Sequence, residues 1–244
     1  MPMLALPVAT TTLRLLNVRL QVTGRDYLPS AGPVLVVGNH RSILDPLLLL
    51  ASLQRPIRVV CHQFMARLPG LRQVAIDTLG CIPLTANGDG RQLRRLQERV
   101  GVHWQRREWV GIFPEGALPM VARTPKDRLS PFARGFAHLA LSAPVARLAV
   151  LPVAIASQAE WVVSPFPVRW LQWVAPEEPC FDRPGLHPVI LYRQVTVAIG
   201  RPYWVERHNF SPLRGKQTLE QVQVISDYCQ AEITALLANG TPKP

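Results

Sequence analysis

Lysine is almost missing from this chain of 244 residues: Lys126, Lys216 and Lys243 stand beside 24 arginines. The formal net charge of +11 is therefore carried by guanidinium groups. Their planar fork suits phosphates, whether of lipid, nucleotide or nucleic acid, although arginine-favouring codon usage would give the same skew. The excess itself implies an anionic partner. Cysteine is scarce too. Cys61, Cys81, Cys180 and Cys229 are far apart and form no C-x-x-C pair, which excludes a zinc ribbon or a disulfide scaffold and fits a reducing compartment. Long apolar runs are absent. A bilayer span needs about 18 consecutive apolar residues, and a stretch such as Pro46–Leu53 is far shorter. Met1–Thr12 has no basic residues ahead of an apolar stretch and carries Pro7, so it does not read as a signal peptide. Phosphate-loop, dinucleotide, zinc-protease and G-x-S-x-G signatures are all missing.

What is present points to a folded α/β chain. Apolar residues make up 48% and charged residues 18%, which excludes disorder. The 24 prolines favour loops and turns over a helical bundle. Val18–Val22 alternates as a half-buried strand does, and Val34–Val37 and Ile57–Cys61 read as strands buried on both faces. Further strands are expected at Cys81–Leu84, Trp109–Phe113, Ala149–Val153 and Val189–Ile199. Helices are expected at Pro46–Leu53, Leu71–Leu79, Arg91–Arg107, Arg134–Ser142 and Thr218–Ala238. Trp161–Pro188 has no clear period. Strands alternating with helices predict a largely parallel β-sheet flanked by helices. The expected division is an N-terminal segment 1–17, a main domain 18–205 with a Trp/Pro-rich insertion at about 160–188, and a C-terminal helical segment 206–244.

Two turns at strand ends carry candidate chemistry. Gly38-Asn39-His40-Arg41-Ser42-Ile43-Leu44-Asp45-Pro46 follows a buried strand, where open α/β sheets place their ligands. Residues five apart on one continuous helix would point roughly 140° away from each other. His40 and Asp45 can therefore meet only if His40 lies in the turn and Asp45 begins the helix, as Asp-Pro at a helix start suggests. A histidine with a carboxylate in reach is a general-base arrangement; the plainer alternative is that Asp45 only caps the helix. Phe113-Pro114-Glu115-Gly116 is a tight turn. There Glu115 would be solvated, or would accept from a polyol or orient the base, and Gly116 would permit close backbone approach. Ser42 near a histidine suggests a nucleophile, but without a nucleophile elbow a helix-start hydrogen bond fits better.

In order and spacing, N-H-x-S-x-x-D followed about 70 residues later by F-P-E-G resembles the glycerophosphate and lysophospholipid acyltransferase family, which includes the 1-acylglycerol-3-phosphate acyltransferases. Leu129–Ala140, Leu151–Ile155 and Val195–Tyr203 are similar to that family's later motifs, and the likeness runs from Val18 to Ile155 and on to Pro202. The resemblance implies acyl transfer from acyl-CoA or acyl-carrier protein to a hydroxyl of a lysophospholipid or glycerol phosphate, in phospholipid biosynthesis. It implies His40 as base oriented by Asp45, and Asn39, Ser42, Glu115, Gly116 and Pro152 at the substrates. No metal or other cofactor is expected. Two departures lie in the implied acceptor-phosphate site. Leu84-Thr85-Ala86 stands where the family has I-D-R, which leaves Arg91 as the nearest phosphate ligand. Ala117-Leu118-Pro119 follows F-P-E-G, with Arg123 later. The acceptor headgroup therefore stays open. The alternatives are a thioesterase, an acyltransferase for a non-glycerol aminolipid, and a non-enzymatic binder of anionic membrane or nucleic acid. Trp161, Phe166, Trp170 and Trp173, with Arg169 among them, would form an interfacial anchor or ordinary packing. Partners expected are an anionic membrane surface, lysophospholipid, acyl thioester and acyl-carrier protein, without nucleic acid. The expected location is peripheral, on the cytoplasmic face of the membrane.

Overall fold

The computed structural model describes residues 4–67, 69–84, 90–116, 124–174, 176, 181–182, 184–206 and 215–240. Eight strands form one sheet: β1 (Arg19–Thr23), β2 (Val34–Gly38), β3 (Ile57–His62), β4 (Ile82–Leu84), β5 (Trp109–Ile112), β6 (Arg147–Val163), β7 (Val189–Ile199) and β8 (Tyr203–Glu206). Their order is β1-β7-β6-β2-β5-β3-β4, with β8 paired to the early part of β6. Five pairings are parallel. The β6–β7 and β6–β8 pairings are antiparallel. The helices are α1 (Ala5–Leu15), α2 (Asp45–Leu53), the short α3 (Phe64–Arg67) and α4 (Pro69–Arg72), α5 (Gly90–Gln105), α6 (Gly135–Leu141), α7 (Arg169–Val174) and α8 (Lys216–Gly240). A π-helix at Gln73–Thr78 follows α4.

The sheet is buried on both faces because its central strands alternate between two cores. Val34 and Val36 of β2 pack on the α1–α2 side with Trp109, Leu151 and Val153. Leu35 and Val37 pack on the other side with α5, α6 and α8, through Leu96, Phe136 and Ile225. Period-2 side-chain direction makes one apolar run serve both layers. The result is a three-layer α/β/α arrangement.

The expected strands are present, the helix expected at Leu71–Leu79 is for the most part the π-helical stretch Gln73–Thr78, and three larger differences follow. The strand expected at Ala149–Val153 continues through Val163 as β6 and pairs with all of β7 as a long antiparallel hairpin. Its outer part, from Gln158 to Val163, alternates between half-buried and exposed positions, and the polar residues in it hide its strand character. The described residues of the Trp/Pro-rich stretch consequently include the end of the hairpin and α7. Helix α8, expected as a separate segment, inserts Val222, Ile225, Cys229, Ile233 and Leu237 into the main core.

Pro152 lies inside β6, where a missing N–H would normally break a ladder. The partner of β6 changes at that point. Val150 pairs with Tyr203 of β8, and Val153 pairs with Ile199 of β7. Proline falls in the gap, and its carbonyl accepts from the Gly200 N–H at 2.9 Å. Among the described residues, no helix is long and apolar enough to cross a membrane.

Candidate active site

Strands β2 and β5 run parallel with Val34 opposite Trp109 and Val37 opposite Ile112. Continued past the strand ends, that register sets His40 opposite Glu115, and the two are joined: the His40 N–H donates to Glu115 Oε1 at 3.0 Å. Glu115 Oε2 accepts from the Ser130 N–H at 2.5 Å. Burial pushes the Glu115 carboxyl above its ordinary value, while the two amides and His40 pull it back. Glu115 thus ties the His40 turn to the segment before α6. It is buried rather than solvated, and its contact with His40 is to the main chain. Gly116 has φ +66°, the left-handed region that favours glycine, and its N–H closes the turn on the Phe113 carbonyl at 3.1 Å.

The His40 ring lies flat on Phe113, with centroids 4.3 Å apart and planes 14° apart. Gly38 makes this possible, because a Cβ there would come within 3.0 Å of the Phe113 ring. The His40 side chain is 16% exposed. Its Nδ1 is 2.8 Å from Asp45 Oδ2. A carboxylate acceptor places the hydrogen on Nδ1 and leaves Nε2 as a base.

Asp45 is fully buried. Its Oδ2 also accepts the N–H groups of Arg41 (2.7 Å) and Ser42 (2.8 Å). Its Oδ1 accepts the Tyr192 hydroxyl at 2.8 Å. Asp45 starts α2, as expected, but not as the cap: the N-cap is Leu44, and no side chain caps the helix. The carboxylate reaches back to the preceding turn instead. It shapes that turn and orients His40 together.

Asn39 and Ser42, expected at the substrates, are buried and internally bonded. The Asn39 amide donates to the Ile155 carbonyl at 3.1 Å and accepts from the Ile155 N–H at 2.7 Å, extending the β2–β6 ladder by a side chain. Ser42 Oγ donates to the Ile190 carbonyl at 2.7 Å and accepts from the Leu44 N–H at 3.1 Å. This is the helix-start role. Pro152 is buried opposite Val37 of β2, three residues before His40. The side chain of Arg91, and residues 85–86, 117–119 and 123, lie outside the described residues.

Three residues of the site carry no sequence signal. Arg41 is buried under the turn and forks onto both Glu160 oxygens at 2.9 Å, with Nε on the Thr124 carbonyl at 3.2 Å. Burial alone would lower the Arg41 pKa, but Glu160 holds it above its ordinary value. Glu160 in turn lies below the usual carboxylate range. Burial would raise it, and the Arg41 hydrogen bonds and charge, with smaller contributions from its other neighbours, together more than reverse that. Glu160 of β6 and Tyr192 of β7 are direct cross-strand partners, so they face the same side. The hairpin therefore grips the His40 turn by Arg41 and Asp45 at once. Burial, then the Asp45 charge, drive the Tyr192 hydroxyl well above its ordinary pKa, so it acts as a donor. Among the described residues no group of three or more His, Cys, Asp or Glu side chains is placed to hold a metal ion.

Comparison with known proteins bears on the family and the fold. A family model described as acyltransferase matches residues 19–156, more than half of the chain. The 1-acyl-sn-glycerol-3-phosphate acyltransferase of Borreliella burgdorferi is 27% identical over 105 residues. That match covers 43% of this chain and 41% of the relative, so the chain spans about two fifths of the relative's length. The crystal structure of the 1-acyl-sn-glycerophosphate acyltransferase PlsC from Thermotoga maritima superposes with a TM-score of 0.57 at 19% identity. It covers 96% of this chain and 78% of that one, and shows a shared α/β fold. The chain belongs to the acyltransferase family.

Proposed function

We propose that this chain transfers a fatty acyl group from an acyl thioester to a hydroxyl of a lysophospholipid or glycerol phosphate, with His40 as general base. The observation that carries the proposal is the His40–Asp45 pair at the C-terminal ends of β2 and β5, with Nδ1 held at 2.8 Å and Nε2 left for the substrate. Nε2 takes the acceptor hydroxyl proton as that oxygen attacks the thioester carbonyl. The imidazolium that forms is stabilised by buried Asp45. The tetrahedral adduct collapses, the C–S bond breaks, and His40 returns its proton to the departing thiolate. No acyl-enzyme forms. Products are the acylated lipid and the free thiol. The names of the relatives support a 1-acylglycerol phosphate as acceptor and phospholipid synthesis as the setting. The donor is acyl-CoA or acyl-carrier protein.

The test is labelled palmitoyl-CoA offered with a panel of lysolipids that includes lysophosphatidate, with His40→Ala alongside. A general base contributes about 10²–10⁴-fold. Folded His40→Ala should therefore lose at least about a hundredfold in turnover. Transfer by the variant at the wild-type rate would overturn the mechanism. Free fatty acid released without any lysolipid would identify a hydrolase instead.

A further inference from the structure

The outer end of the β6–β7 hairpin exposes more indole surface than any packing need accounts for. Trp173 is 91% exposed, Trp170 60% and Trp161 58%, with Leu186 beside them at 57%. Large aromatics of a soluble surface usually bury most of their area. A bridge between Pro167 and Leu186 closes the hairpin end, and Phe166 stacks on His187 with centroids 5.3 Å apart. Phe166, expected in the anchor, is half-buried against His187.

Cations accompany the indoles. The Arg193 guanidinium sits 4.5 Å from the centre of the Trp161 ring, and Arg169 opens the same short helix that carries Trp170 and Trp173. Asp182, the acidic side chain described on this end, accepts from Gln172 at 3.1 Å. Indole beside guanidinium at a protein's tip matches the headgroup level of a bilayer with anionic lipid. There tryptophan seats its ring at the interface and arginine meets phosphates. A nucleic acid would call for a basic groove, and an apolar protein partner has no use for the flanking arginines.

We infer that this hairpin end is the membrane-docking element, and that it seats on anionic bilayer surface. The choice of a lipid occupant rests on the proposed lipid substrate. Position adds a reason. Glu160 and Ile190, which hold the His40 turn, lie three residues from Val163 and one from Val189 at the hairpin's outer limit. At about 3.3 Å per residue, the gripping residues are within roughly 10 Å of the docked end. Binding there keeps the site close to lipid without inserting a helix.

Co-sedimentation of the full chain with vesicles tests this, comparing phosphatidylcholine alone with phosphatidylcholine plus phosphatidylglycerol. Wild type should bind the mixed vesicles, and less as salt rises. The double variant Trp170→Ser/Trp173→Ser should lose roughly tenfold per indole removed. It should keep the wild-type melting temperature, since both rings are solvent-exposed. Brominated lipid should quench tryptophan emission in wild type and not in the variant. Equal binding by the two proteins overturns the inference. So does equal binding to both vesicle types, or a wild-type dimer that the double substitution dissolves. Vesicle binding needs no catalysis, so a failed acyl-transfer assay with intact, indole-dependent binding would count against the proposed reaction alone.

Discussion

Four donors converge on the Asp45 carboxylate, and just one of them is the histidine it orients. The two backbone amides lock the turn; the Tyr192 hydroxyl fixes the second oxygen and hence the plane of the carboxylate. An outer partner of this kind typically changes activity about 10–100-fold. Tyr192→Phe should therefore lower kcat about tenfold or more with little change in KM, and should alter the pH profile on its basic-group limb. Steady-state kinetics across pH would show it; a variant that changes KM alone would place Tyr192 at the substrate instead. Asp45→Asn should cost more, about 10²–10⁴-fold in kcat, because it disturbs tautomer and imidazolium together. His40 and Asp45 were legible from the sequence as a candidate pair, because an Asp-Pro helix start five residues after a turn histidine allows them to meet. Tyr192 was not, since an aromatic in a strand reads as packing.

At the scale of elements, the β6–β7 hairpin does the positioning. Its cross-strand pair Glu160–Tyr192 holds the turn by an ion pair and a hydroxyl. Removing one partner of a largely buried pair strands the other, at about 3 kcal/mol. Glu160→Gln should lower stability by roughly that amount in urea titrations at neutral pH. The sign with pH follows from the lowered Glu160 pKa. Its stabilisation is present above the ordinary carboxylate range and disappears as pH falls through the depressed folded-state value. Wild type should therefore lose its advantage over Glu160→Gln in acid, and a constant gap down to the lowest pH measured would refute the assignment. The hairpin was half legible. β7 is a clear strand, while β6 beyond Ala156 mixes glutamine, glutamate and tryptophan on alternate faces and reads as irregular.

For the whole molecule, the sheet needs a helical layer on each face. Helix α8 supplies five core residues to one of them: Val222, Ile225, Cys229, Ile233 and Leu237. At about 1.5–3 kcal/mol per buried apolar side chain, their loss amounts to roughly 10 kcal/mol. A domain's entire stability is about 5–15 kcal/mol. A chain ending before Lys216 should therefore lose its cooperative thermal transition in calorimetry, rather than survive as a trimmed domain. A sharp, wild-type-like melt would restore the view of residues 206–244 as a separate segment.

The sequence by itself determined the α/β class, the buried strands and the pairing that His40 and Asp45 could make. Each rests on patterns that act within a few residues: alternation, helix-start chemistry and turn residues. It also carried the ordered motifs by which the family is recognised. The tertiary structure alone decided what holds that site. Asn39 meets Ile155 across 116 positions, Arg41 meets Glu160 across 119, and Tyr192 meets Asp45 across 147. It also decided that Glu115 bonds the backbone of His40, 75 positions away. Strand order and register set such pairings, and local periodicity has no reach over those distances.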